Sequence, residues 1–125
     1  MWIDSSFAIE WLLETDRAKQ AEISDTPLAI LPMQYMETFS FFLKKLVDPM
    51  QIIRELSPLE MTHPEKIHIQ RGSFLYLEAR RQKSKASLAD ALLAAVVAER
   101  RECLLSFDED FSFLGLKGKN GLWNI

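Results

Sequence analysis

The sequence contains few of the residues that build several common kinds of functional site. Cys103 is the only cysteine in 125 residues, so no disulfide can form within the chain, which suits a reducing cytoplasm. Together with two histidines, His63 and His68, it provides too few ligands for a zinc site of the cysteine and histidine type. No nucleophile–base pair surrounds either histidine, and we expect His68 on the surface of a helix that starts near His63. Any chemistry must therefore depend on other residue types.

The chain also lacks an excess of positive charge and any long hydrophobic run. Its net charge is −3, so overall charge does not indicate a nucleic-acid partner, although a basic patch can lie on an acidic molecule. The first residues enter apolar sequence without a basic segment, which predicts no secretory leader. No run of about 20 apolar residues is present, so we expect no membrane span. These absences predict a cytoplasmic protein.

Short apolar segments that alternate with helical patterns are typical of an α/β protein. Apolar runs predict strands at residues 1–3, 28–31, 103–107 and 122–125. Apolar spacing and capping residues predict helices at residues 7–12, 33–46, 50–56, 63–82 and 88–101, with a polar, partly helical stretch over 14–25 and a potential break at Gly72. We therefore expect one domain over residues 1–125, an α/β sandwich around a mainly parallel sheet.

Four of the 18 acidic residues follow predicted strands or begin predicted helices. Asp4 ends the first strand, and Asp108 follows the strand 103–107. Glu37 lies in the first turns of the helix after the second strand, and Asp90 lies in the first turn of the alanine-rich helix. Because ligand crevices of open parallel sheets lie at the carboxyl ends of the strands, all four are expected at one edge.

Four carboxylates at one edge would repel one another and raise each other's pKa values unless cations were bound. Mg2+ and Mn2+ prefer oxygen ligands, and such ions activate water and neutralise charge on a phosphodiester. The pattern favours metal-dependent phosphodiester hydrolysis.

Each acid also has a purely structural interpretation. Ser87 and Asp90 are spaced as a capping box, as are Ser106 and Glu109, so Asp90 could finish a helix start and Asp108 could belong to a turn. Glu37 could be a surface residue. Asp4 has few structural duties after a buried strand, and it is the hardest of the four to explain structurally.

At these residues the chain resembles the PIN-domain family, and within it the VapC-like toxin ribonucleases of toxin–antitoxin modules. The opening Met-Trp-Ile-Asp-Ser-Ser is similar to the family's first strand, and Glu37 to the acid of its second block. Asp90-Ala91 with the alanine-rich helix is similar to the third block, and Ser106-Phe-Asp-Glu-Asp-Phe to the fourth, where threonine is usual in place of Ser106. The blocks occur in the family's order along the whole chain, but residues 48–85 match nothing distinctive.

The resemblance implies a three-layer α/β/α sandwich, endoribonuclease activity, and one or two Mg2+ or Mn2+ ions. It also implies a homodimer and a small antitoxin that blocks the site. The metal-site acids would be Asp4, Glu37, Asp90 and Asp108. Asp110 would be an auxiliary acid, and Ser6 and Ser106 would position carboxylates or waters.

Two surfaces are candidates for binding. A basic segment predicts contacts to an RNA backbone, although a solvated helix end explains it equally well; its residues nearest the acids are Arg80, Arg81, Lys83 and Lys85. The helix after Pro32 has more apolar residues than one buried face needs, which predicts a dimer or antitoxin surface, with core packing as the alternative.

Three other functions are alternatives to a toxin ribonuclease, and the sequence argues against the first of them. A phosphoacceptor signalling domain would need paired acids and an aspartate after a strand in mid-chain, and neither is present. A PIN-like domain that binds RNA or protein without cutting would keep the same fold. A nuclease without an antitoxin would keep the same acids.

Overall fold

The computed structural model describes residues 1–21 and 26–125, and these contain a six-stranded sheet. Its strands are β1 (Trp2–Ile3), β2 (Ala29–Ile30), β3 (Glu60–Met61), β4 (Leu104–Leu105), β5 (Lys117–Lys119) and β6 (Leu122–Asn124). Their order across the sheet is β3-β2-β1-β4-β6-β5. The pairs among β1 to β4 are parallel, and the pairs that include β6 are antiparallel. The prediction of a mainly parallel sheet is confirmed.

Helices cover both faces of this sheet. They are α1 (Ser5–Leu12), α2 (Asp16–Ala21), α3 (Pro32–Lys44), α4 (Pro49–Leu56), α5 (Lys66–Arg81) and α6 (Leu88–Arg100), followed by a 3-10 helix, Glu109–Leu114. Adjacent residues of one strand enter different cores. Trp2 packs in the core beneath α5 and α6, while Ile3 packs in the core with Phe7 of α1. The three-layer α/β/α sandwich is therefore confirmed.

Two strands were not predicted from the sequence, and both are solvent-exposed. β3 and β5 consist of exposed residues, among them Lys117 and Lys119. Strand prediction depended on apolar runs, which edge strands facing water do not need. Gly118 of β5 lies against Trp123 of β6 so closely that a Cβ there would be 2.2 Å from the indole.

Helix α5 differs from the expectation in its start and its continuity. It begins at Lys66 with Glu65 as its N-cap, rather than near His63. His68 is buried rather than exposed as expected, and its Nδ1 accepts a hydrogen bond of 2.9 Å from the Glu65 backbone N–H. Gly72 does not break the helix. A Cβ on it would lie 3.1 Å from Leu92 Cα of α6, so glycine permits this close helix contact.

Part of the polar stretch 14–25 forms α2, and residues 22–25 lie outside the described residues. Over the ranges 1–21 and 26–125, none of the helices has the length and apolar character that a membrane span needs.

Candidate active site at the carboxyl edge of the sheet

Asp4 lies directly after β1 and is the N-cap of α1, with 2% of its surface exposed. Its Oδ1 accepts hydrogen bonds from the Ser6 hydroxyl (2.7 Å) and from the Phe7 backbone N–H (2.9 Å). Its Oδ2 accepts one from the Ser106 hydroxyl at 2.6 Å. Three donors therefore fix the orientation of this carboxyl group, and one lone pair of Oδ2 stays unused by the described residues.

Burial raises the pKa of Asp4 to about 7, even though its hydrogen bonds, that from Ser106 foremost, lower the pKa. The negative charge of Asp90 raises it further. The structure thus gives Asp4 a structural role that the sequence did not reveal, the N-cap of α1. A buried carboxyl group whose pKa is raised this far is nevertheless a candidate for function.

Asp90 lies in the first turn of α6 and takes part in a capping box. Its backbone N–H donates to the Ser87 hydroxyl (3.1 Å), and its Oδ2 accepts weakly from the Ser87 N–H (3.5 Å). Its Oδ1 accepts a hydrogen bond of 3.3 Å from the side-chain amide of Gln34 on α3. Burial, followed by the charge of Asp108, raises the pKa of Asp90, against the lowering effect of these bonds. The structural interpretation of Asp90 as a capping residue is therefore confirmed, and its functional role stays a prediction.

Glu37 lies on the exposed side of α3, one turn after Gln34. Desolvation raises its pKa, and the charge of Asp90 raises it further, while a hydrogen bond from the Ser5 side chain lowers it. Its coupling to Asp90 places Glu37 beside the same cluster.

Asp108 follows β4 and is the N-cap of the 3-10 helix. Its Oδ1 accepts a hydrogen bond of 2.9 Å from the Asp110 backbone N–H. Asp108 therefore has the structural role in a turn that the sequence suggested. Its charge acts on Asp90 across the site. Asp110 lies in the first turn of the same helix, and its contact with the other acids within the described ranges is this backbone hydrogen bond to Asp108.

The four acids interact through Asp90, because its charge acts on Asp4 and Glu37 and the charge of Asp108 acts on Asp90. Residues 1–21 and 26–125 contain no group of three acidic, histidine or cysteine side chains already arranged to hold a metal ion. Mg2+, however, keeps several waters and commonly takes one or two protein carboxylates, so a complete protein cage is not required. The site fits such an ion for three reasons. Its carboxylate oxygens are the ligands that Mg2+ prefers, the negative charges of the acids repel one another, and Asp4 Oδ2 keeps an unused lone pair among the described residues.

Ser6 and Ser106 connect the ends of β1 and β4. The Ser6 hydroxyl accepts from the Phe107 N–H (3.2 Å), and the Ser106 hydroxyl accepts from the Asp108 N–H (3.0 Å). Because each hydroxyl proton is already donated to Asp4, both serines hold that carboxyl between two strand ends. Ser6 and Ser106 thus position the Asp4 carboxyl group, and their role beside a metal ion or its waters stays a prediction.

The four basic residues predicted to bind RNA differ in whether their side chains already contact other residues. Arg80 donates to the Ser84 carbonyl (3.3 Å) and lies 5.1 Å from the Tyr76 ring, and Arg81 lies 3.7 Å from Glu78. Lys83 and Lys85 are exposed and form no ion pair within the described part of the chain. Lys85 lies two residues before Ser87 and is the nearest of the four in sequence to Asp90.

Gln34 is the site residue that sequence reasoning missed. It is completely buried, and it contacts both Asp90 and the Ser5 backbone N–H. The available signal was its position in the first turn of α3, three residues before Glu37.

The sequence matches no protein-family model and no curated protein. Solved structures with a similar fold include a toxin and a toxin–antitoxin complex. One is VapC20 of Mycobacterium tuberculosis, a toxin that cleaves the sarcin–ricin loop, with a TM-score of 0.71, 20% identity, and coverage of 91% of this chain and 94% of that one. Another is a toxin–antitoxin complex from Klebsiella pneumoniae, with a TM-score of 0.68, 25% identity, and coverage of 89% of each chain.

These likenesses agree with the resemblance drawn from the four sequence blocks. The chain has the α/β/α fold of a VapC toxin, and the match extends over nearly the full length of both proteins. The predicted fold relationship is confirmed.

Proposed function

We propose that this protein is a metal-dependent endoribonuclease that hydrolyses RNA phosphodiester bonds, a VapC-like toxin of a toxin–antitoxin module. The observation that carries the proposal is the placement of acids at the carboxyl edge of a VapC-type sheet, where Ser6 and Ser106 hold the Asp4 carboxyl group and Gln34 holds that of Asp90. The raised pKa values of Asp4, Glu37 and Asp90 support it. A bound cation would offset the electrostatic repulsion among these carboxylates.

Asp4, Glu37, Asp90 and Asp108 would hold one or two Mg2+ or Mn2+ ions, and Asp110 would assist through its neighbour Asp108. Such an ion, when bound, supplies an activated water and neutralises charge on the phosphodiester. The protein's part is to keep the ligands in place. Ser6 and Ser106 hold the Asp4 carboxyl group, and the capping box with Ser87 fixes Asp90 at the start of α6.

The RNA backbone would be held by the basic segment before α6. Lys83 and Lys85 are exposed and have no acidic partner among the described residues, so they offer charge to phosphates. Arg80 and Arg81 would contribute once they leave their contacts with Ser84 and Glu78.

Partner proteins would cover the apolar side of α3. Met33, Met36 and Leu43 of α3 expose 49%, 61% and 41% of their surface, so this helix presents several large apolar side chains to solvent. We propose that an antitoxin, as in the Klebsiella pneumoniae complex, or a second copy of the chain covers them.

The proposal is tested by cleavage of a panel of structured RNAs with Mg2+ or Mn2+, in parallel with EDTA. Asp90→Asn is the decisive variant, because asparagine keeps the size and the acceptor of the capping box but removes the charge. Asp48→Asn is its matched control, since Asp48 caps α4 with a bond of 3.1 Å to the Met50 N–H and is exposed. We expect metal-dependent cutting that is lost in Asp90→Asn and kept in Asp48→Asn.

The second candidate is a PIN-like domain that binds RNA or protein without cutting. One observation favours it: no three ligands are pre-assembled for a metal among the described residues. Folded protein that binds neither Mg2+ nor Mn2+ and cuts no RNA would decide for this candidate.

A further inference from the structure

Gln34 has a polar side chain in a fully buried position, where polar atoms without hydrogen-bond partners are costly. It lies in the first turn of α3 with 0% of its surface exposed. Its backbone carbonyl accepts a hydrogen bond of 2.8 Å from the Thr38 hydroxyl, which is ordinary helix chemistry. Its side-chain amide, in contrast, forms hydrogen bonds with residues of two other helices, α1 and α6.

The two ends of this amide have different partners. The Ser5 backbone N–H donates to Oε1 at 2.7 Å, and Nε2 donates to Asp90 Oδ1 at 3.3 Å. The partners themselves fix which end is which, because an N–H needs an acceptor and a carboxylate needs a donor. The hydrogen-bond partners therefore determine which end of the Gln34 amide is the oxygen and which is the nitrogen.

These two contacts connect two segments of the chain that carry acids of the site. Ser5 directly follows Asp4 at the start of α1, and Asp90 lies in the first turn of α6. One amide therefore spans the gap between two helix starts that carry carboxylates. Since like charges at these positions push apart, a neutral bridge that binds both sides opposes their separation.

We propose that Gln34 is a positioning residue that holds the Asp90 carboxylate at a fixed place relative to Asp4 and thereby sets the affinity of the site for its divalent cation. The inference rests on the proposed function, because it concerns the same metal site. Gln34 itself needs no contact with the ion or with RNA. Its bond to Asp90 Oδ1 leaves Oδ2 with only the long contact of 3.5 Å to the Ser87 N–H.

Gln34→Met is the variant that tests this role, because methionine is close to glutamine in volume and suits a buried site but offers neither the donor nor the acceptor. Hydrogen-bond partners of metal ligands typically contribute 10- to 100-fold to metal affinity. We expect the Mn2+ dissociation constant to rise by about that factor, roughly 10- to 100-fold. The KM for RNA should change little, since Gln34 is buried.

Thr38→Val is the matched control. Thr38 is also completely buried on α3, one turn further along, and within residues 1–21 and 26–125 its hydroxyl hydrogen-bonds only to the backbone carbonyl of Gln34. Valine has nearly the same shape and removes this hydroxyl. If loss of a buried polar group on α3 were harmful through folding alone, Thr38→Val would weaken Mn2+ binding as well.

A second pair of variants tests the other end of the bridge. Ser5→Pro removes the N–H that donates to Gln34, at a position in the first helical turn where proline is well tolerated. Ser5→Ala removes only the hydroxyl and serves as the reference for the proline variant. We expect Ser5→Pro to weaken Mn2+ binding relative to Ser5→Ala.

The measurement is isothermal titration calorimetry with MnCl2 on the full-length protein, at a temperature where circular dichroism finds each variant folded. RNA cleavage gives kcat and KM in parallel. Weaker Mn2+ binding in Gln34→Met with Thr38→Val unchanged supports the inference. Equal affinity of Gln34→Met and the unsubstituted protein overturns the inference and leaves the proposed function standing. No Mn2+ binding or RNA cleavage by the unsubstituted protein overturns both.

Discussion

The buried carboxyl group of Asp4 predicts an unusual pH dependence for the metal-free protein. Most acids that are hydrogen-bonded in a folded protein make it less stable as pH falls. Asp4 should act in the opposite direction, because burial raises its pKa from 3.8 to about 7 despite its three hydrogen bonds. In the unfolded chain the group ionises near pH 4, whereas in the folded protein it stays protonated up to about pH 7.

The sign and the size of the effect follow from this difference. Below about pH 4 Asp4 is protonated in both states and adds no pH dependence. From there to about pH 7 only the unfolded state loses the proton, so rising pH favours unfolding. A shift of roughly three pKa units at about 1.4 kcal/mol each gives a loss of about 4 kcal/mol from this group by pH 8.

The assay is urea denaturation in EDTA from pH 4 to pH 8, for the unsubstituted protein and for Asp4→Asn. Asparagine is an equally good N-cap residue and cannot ionise in this range. We expect the free energy of unfolding of the unsubstituted protein to fall with pH relative to the variant. Added Mn2+ should restore stability at pH 8, because an ion that binds only the folded state stabilises it.

Parallel pH profiles of the two proteins would refute the reasoning, since Asp4 would then have the same pKa in both states. So would a stability difference that grows in favour of the unsubstituted protein toward pH 8. That result would mean that the hydrogen bonds from Ser6, Phe7 and Ser106 outweigh desolvation.

Three further predictions concern packing and the support of the site. Gly72→Ala should destabilise the protein by about 1–3 kcal/mol in urea denaturation, because the new methyl group would lie 3.1 Å from Leu92 Cα. Ser106→Ala should weaken Mn2+ binding in calorimetry by roughly 10- to 100-fold, because it removes the 2.6 Å bond to Asp4. Ser87→Ala should lower the free energy of unfolding by about 1 kcal/mol through loss of the α6 cap, with cleavage reduced less than in a variant of an acid.

Controls separate these effects from general damage. Ser112→Ala removes an exposed hydroxyl that contacts only the Glu109 carbonyl, and it should leave Mn2+ binding unchanged where Ser106→Ala does not. A Gly72→Ala protein more stable than its parent would mean that the ordinary gain of helix propensity outweighs the close contact between α5 and α6. Complete loss of cleavage in Ser87→Ala would contradict a purely capping role for that hydroxyl.

The sequence alone was sufficient for the fold class and for the positions of the acids along the chain. Apolar runs predicted β1, β2, β4 and β6, and capping residues predicted most helices, because such signals depend on neighbours only a few residues apart. Asp4, Asp90 and Asp108 could be placed at strand ends and helix starts for the same reason. The exposed strands β3 and β5 were missed because an edge strand needs no apolar run.

The tertiary structure decided how these residues act on one another. Asp4 obtains its donor Ser106 from 102 residues away, and Gln34 reaches Asp90 from 56 residues away. His68 is buried by the packing around α5, which its position in the sequence did not reveal. The pKa of each acid depends on burial and on charges brought close by folding. Local sequence therefore determined which groups are present at the carboxyl edge of the sheet, whereas their coupling is set by contacts between distant parts of the chain.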